Sequence, residues 1–116
     1  MVWLYLASVT MVATAVIHSV LGERRLIGPL LAIEAPLLRN ALARQILRYA
    51  WHLISVLMGL SAVLVVWPLV PIGLIRLTGL VWLFVGIADA ALTKGKHLGW
   101  PFLAASGAFA LVGTFA

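Results

Sequence analysis

VIHSVLGERR, residues 16–25, is the point where a long apolar run gives way to a pair of arginines, with His18 and Glu23 on either side of the change. The run that leads into it, MVWLYLASVTMVATAVIHSVL, has about the length of roughly 20 residues that carries a helix across a bilayer. No Lys or Arg precedes Arg24, so the basic stretch of a secretory signal is missing and the segment reads as a retained first helix.

Moving outward from this boundary, three further apolar runs follow, which places spans at about 2–21, 46–66, 70–92 and 98–116. Composition agrees. The chain is 65% hydrophobic and 9% charged, whereas soluble domains average about 45–50% apolar with about a quarter charged. Four spans use almost all of 116 residues and leave no room for a soluble domain. The expected fold is therefore all-α: a polytopic membrane protein with one four-helix transmembrane domain. Cysteine is absent, which excludes disulfides, thiolate metal sites and cysteine nucleophiles. The net charge of +5 is spread around apolar spans without a basic patch carrying interleaved aromatics, so it speaks for orientation in a membrane and against nucleic acid.

The connections carry the orientation. Between the first two spans lies an amphipathic basic stretch, about 24–45, that runs into Arg48 and includes Arg24, Arg25, Arg39 and Arg44; between the last two lies TKGKH, with Lys94 and Lys96. The turn between the second and third spans, WPLVP, is uncharged. Lys and Arg mark the cytoplasmic side, so both basic connections are expected inside, the WPLVP turn outside, and both termini non-cytoplasmic. Pro36 suits the first position of a helix, and a helix beginning there would run on into the second span. Its Arg-bearing turns would lie at the lipid headgroups. Trp3, Trp67 and Trp100 fall at interfaces as an aromatic belt, while Trp82 is mid-span and expected to pack against a neighbour.

This topology gathers the ionisable groups. His18, Glu23, His52, Asp89 and His97 come within about 10 Å of one membrane surface by helical rise, and Arg76 alone is left towards the other. Helical phase points the same way: Arg48, His52, Ser55, Gly59 and Ala62 share one face of the second span, and Gly79, Trp82, Gly86 and Asp89 share one face of the third. Small residues let membrane helices approach closely, so His52 and Asp89 are expected to face the bundle. Met11, Thr14 and His18 repeat the pattern on the first span.

Three imidazoles and two carboxylates are nitrogen and oxygen ligands suited to a divalent transition metal such as zinc or iron. The expected metal set is His18, Glu23, His52, Asp89 and His97. An alternative cofactor is haem, clamped by His18 and His52 with Arg48 as an anion holder. A proton relay is the third use, since histidines and carboxylates within membranes mark proton paths. No Glu-x-x-His or HExxH spacing supports a metal enzyme, and no nucleophile motif or glycine-rich phosphate loop supports a soluble-type one.

HSVLGERR, AWHLIS and KHLGWP resemble segments of small four-helix proteins of bacterial inner membranes. The resemblance implies a bacterial inner-membrane location and the same His and Glu placement, and it brings no activity with it. In size the chain is also similar to small multidrug transporters, but those carry a carboxylate in mid first span, where Thr10 and Thr14 stand here. Three readings of function follow: a metal- or haem-binding membrane protein, an accessory subunit of a larger membrane complex or homo-oligomer in contact with membrane lipids, and a small transporter or proton-coupled channel. A membrane enzyme using His52 as base has no substrate to name.

Overall fold

A computed structural model describes residues 1–116. It is all-helical, without a strand. We number four main helices: α1, Val2–Leu31; α2, Ala41–Val66; α3, Ile72–Thr93; and α4, Trp100–Gly113. The first three, at 30, 26 and 22 residues, are long and apolar enough to cross a membrane. The fourth departs from the expected 98–116 span. It has 14 residues, about 21 Å at 1.5 Å per residue, less than a hydrocarbon core of about 30 Å. Pro101 in its first turn and the preceding turn through Lys94 and Gly95 delay its start, and Thr114 ends it.

α1 runs ten residues past the apolar segment because Pro29 is absorbed rather than obeyed as a stop. A proline inside a helix cannot donate to the carbonyl four residues back and its ring crowds that carbonyl. The chain answers with a π-helical turn at Glu23–Ile27, in which Gly28 N–H donates to Glu23 O, five residues back. One wide turn of this kind takes up the mismatch.

α2 begins later than the sequence suggested. Pro36 opens only a 3-10 turn, Leu37–Arg39, and the helix starts after Asn40. Asn40 is extended (ψ 117°), and its side-chain oxygen accepts from Leu42 N at 2.9 Å and Ala43 N at 3.3 Å. An asparagine cap satisfies two of the orphan amide donors of the first turn, which proline cannot do. The basic connection is thereby folded back on α1, where Arg44 donates to the carbonyl of Leu31.

The four helices do not form a symmetric bundle. α2 packs on α1, α1 on α4, and α4 on α3, whereas α2 and α3 scarcely touch although they are consecutive. Small residues decide this order. A Cβ added at Gly107 would lie 2.3 Å from Leu83 N and 2.5 Å from Gly79 O, and one at Gly86 would lie 2.5 Å from Ala104 N. The α3 and α4 backbones are thus in direct contact, the arrangement small residues permit in helix pairs. Ala7, Met11, Ala62, Val65, Ile75, Trp82 and Ala110 form the core. The face expected from Gly79, Trp82 and Gly86 is buried, and so are Ser55 and Ala62 on α2, but Gly59 between them faces open space.

Only 17 of 116 residues are buried, and the outside carries Val56, Leu60, Leu77 and Phe84 on show. A soluble monomer rarely exposes contiguous apolar surface on this scale. Both termini lie at one end: Trp3 meets Phe109 at 5.9 Å between ring centroids, and Leu4 lies beside Gly113. At that end Arg76 donates to Thr114 Oγ1 at 3.2 Å and to its carbonyl at 3.4 Å, and lies 4.3 Å above the Phe115 ring. It therefore folds onto the C-terminus of α4, where a cation suits the helix dipole, instead of reaching outward alone.

Candidate functional site

The opposite end of the molecule holds the ionisable groups, divided between two hairpins. Helical spacing builds the first. On α1, His18 and Gly22, and likewise Ser19 and Glu23, are four residues apart and so stack along the side turned to α2. On α2, Arg48, Trp51, His52 and Ser55 occupy the matching side at i, i+3, i+4 and i+7.

The side chains join in one chain. His18 Nδ1 lies 2.8 Å from Ser55 Oγ; Ser19 Oγ donates to Ser55 Oγ at 2.6 Å; His52 Nδ1 lies 3.0 Å from Ser19 Oγ; and His52 Nε2 lies 3.3 Å from Glu23 Oε2. Arg48 Nε closes the chain on Glu23 Oε1 at 2.7 Å. Exposure rises towards the end of the bundle: Ser55 is buried, while the side chains of Glu23, His52 and Arg48 are 34%, 36% and 48% exposed. No buried side-chain nitrogen or oxygen lacks a partner, as buried polar groups require.

Trp51 sets the plane of His18. The two rings stack with centroids 4.2 Å apart and planes 8° from parallel, and Trp51 Nε1–H donates to His18 O at 2.8 Å. Gly22 makes the room: a Cβ there would sit 2.1 Å from Trp51 Nε1.

Asp89 and His97 do not join this group. His97 Nδ1 lies 2.6 Å from Asp89 Oδ2, a contact local to the α3–α4 connection, with Asp89 19% and His97 62% exposed. The local fold explains it. Lys94 and Gly95 both take positive φ, 54° and 74°, and Gly95 N–H donates to Ala90 O at 2.8 Å, closing the C-terminus of α3 with a left-handed turn. The chain is thereby turned back, Thr93 Oγ1 accepts from His97 N, and the imidazole meets Asp89. Neither Lys94 nor Lys96 pairs with Asp89.

The five expected metal ligands are accordingly not one set, and no group of three or more His, Asp or Glu is arranged to hold a metal ion. The reason is the packing order: α3 abuts α4 rather than α2, so Asp89 pairs within its own hairpin. The haem geometry meets a similar obstacle, since both ring nitrogens of His52 are engaged, by Ser19 and Glu23. What the structure does bring together is His18, Glu23, Arg48 and His52. Sequence reasoning overlooked Ser19 as a bridge and Gly22 as the clearance for Trp51. The signal was present in HSVLGE, where 18/22 and 19/23 fall on one helical side, but two hydroxyls become a bridge only once α1 and α2 are known to face each other.

In comparisons with family models, curated proteins and solved structures, nothing matches this chain.

Proposed function

We propose that the protein is a small multi-pass membrane protein whose α1–α2 polar chain relays protons, as a proton-coupled channel or transporter. Membrane insertion is supported by three helices of spanning length and by the apolar exterior. The basic connections support an orientation with the His/Glu end cytoplasmic and both termini outside, and the resemblance noted in the sequence suits a bacterial inner membrane.

The observation that carries the relay is the unbroken sequence of contacts of 2.6 to 3.3 Å from His18 through Ser55, Ser19 and His52 to Glu23. A hydroxyl donates one hydrogen and accepts others, and it rotates to suit its neighbours. The chain therefore has two directions. In one, His18 Nδ1–H donates to Ser55, Ser55 to Ser19, Ser19 to His52 Nδ1, and His52 Nε2–H to the Glu23 carboxylate. A proton accepted on His18 Nε2 shifts each hydrogen one place along, so that Nδ1–H of a doubly protonated His52 donates to Ser19 and its Nε2–H passes to Glu23. Rotation of the two hydroxyls and a change of tautomer reset the path. Beyond His18 the polar column continues along α1 at four-residue steps through Thr14 and Thr10, and Thr10 Oγ1 accepts from the buried Ser106 at 2.8 Å.

The metal or haem reading has no comparable geometry behind it, and the accessory-subunit reading rests on exposed apolar surface that lipid covers equally well. The test is proton flux into proteoliposomes holding a pH-sensitive dye. Flux at least about tenfold lower in Ser55→Ala than in wild type is expected, since that change removes the central bridge and leaves the Nδ1 of His18 and the hydroxyl of Ser19 short of a partner. Wild-type vesicles no leakier than empty ones, or a Ser55→Ala variant that conducts like wild type, would overturn the reading.

A further inference from the structure

Arg48 meets Glu23 through Nε, and no protein group bonds its two terminal amino groups. Its side chain shares one open face of α2 with Ala41, Arg44, Gln45 and Tyr49, beside about 410 Å³ of accessible space. Arg44 is anchored by its bond to Leu31 O, so two arginines, a glutamine and a tyrosine border one opening. No acidic side chain lines it.

Depth says what meets this opening. Counting back along α2 from Trp67, about 20 residues cross about 30 Å of hydrocarbon and end at Leu47, next to Arg48. Counting forward along α1 from Val2 the same length ends at Gly22, next to Glu23. Arg48 thus stands at the boundary of the hydrocarbon and Arg44 one turn further out, at the level of lipid phosphates. Guanidinium groups take phosphate oxygens in paired bonds, and an interfacial tyrosine suits the same level.

We infer that Arg44, Gln45, Arg48 and Tyr49 form a site for the phosphate of an anionic phospholipid, taken by the amino groups of Arg48 that Glu23 leaves free. The site rests on the membrane placement proposed above.

The experiment measures lipid retention on the full-length protein, independently of proton flux. The protein is placed in nanodiscs of phosphatidylcholine with a minor fraction of phosphatidylglycerol, and bound lipid is counted by native mass spectrometry after release. Preferential retention of phosphatidylglycerol is expected, with a loss in the Arg44→Gln/Arg48→Gln variant at least about tenfold greater than in Arg24→Gln/Arg25→Gln, since general surface attraction gives each arginine about equal weight, near fivefold. Equal losses in the two variants would overturn the site, as would equal retention of the two lipids by wild type. Displacement of the lipid by millimolar inorganic phosphate would overturn the lipid as its occupant. Retention that follows the prediction while flux is absent would leave the site standing and sink the relay.

Discussion

Replacing Gly22 with alanine tests the geometry on which the site depends. The new Cβ would lie 2.1, 2.5 and 2.6 Å from Nε1, Cε2 and Cζ2 of Trp51, inside any real contact distance, so the indole must leave. Its departure breaks the bond from Nε1 to His18 O, worth about 1 kcal/mol net, and the stack on His18, worth about 0.5–1.5 kcal/mol. Forcing the surroundings to adjust costs a further 1–3 kcal/mol or so. Against this, alanine is favoured over glycine in a helix by about 1 kcal/mol. A net destabilisation of about 2–4 kcal/mol follows. Gly59→Ala is the control, because a Cβ there meets nothing within 4 Å; it gains the helix propensity alone, up to about 1 kcal/mol. Unfolding by SDS titration in mixed micelles, followed by far-UV circular dichroism, measures both. If Gly22→Ala proves as stable as Gly59→Ala, Trp51 does not fill the space beside Gly22 and the account of how His18 is oriented fails.

Three other outcomes follow from the structure. Asn40→Ala removes the cap of α2 and is expected to cost about 1 kcal/mol, seen as faster hydrogen exchange at the amides of Leu42 and Ala43 with the middle of the helix unchanged. Gly107→Ala drives a methyl group into backbone atoms of Leu83 and Gly79 and should destabilise by about 3 kcal/mol or more, whereas Gly73→Ala, in open space, should not; the same SDS titration compares them. Arg76→Ala releases the last turn of α4 and is expected to cost about 1 kcal/mol, with faster exchange confined to the amides near Thr114.

Helix number and approximate position were legible because apolar runs of spanning length have few alternatives, and the positions of Arg and Lys already placed the ionisable side chains at one end. The ends of helices were less legible. The preference of Pro36 for a first turn is a local tendency, and it yields to a cap two hydrogen bonds strong at Asn40. α1 also runs past Pro29, because a single wide turn lets the helix continue. The first is a contest between neighbouring residues worth about 1 kcal/mol, too small for pattern to decide; the second carries the cost of an interior proline, about 3 kcal/mol, which only a wide turn seen in the folded helix takes up.

What the sequence determined by itself is the inventory and its level: four apolar helices, with His18, Glu23, His52, Asp89 and His97 at one end and Arg76 at the other. Which of these groups touch was decided by tertiary structure alone. Helical periodicity fixes a side chain's depth and its angle about its own axis, but says nothing about which helix occupies that angle. Here glycines at positions 79, 86 and 107 bring α3 onto α4, leaving α1 to face α2. That choice of neighbour gives His52 to Ser19 and Glu23, and leaves Asp89 to His97.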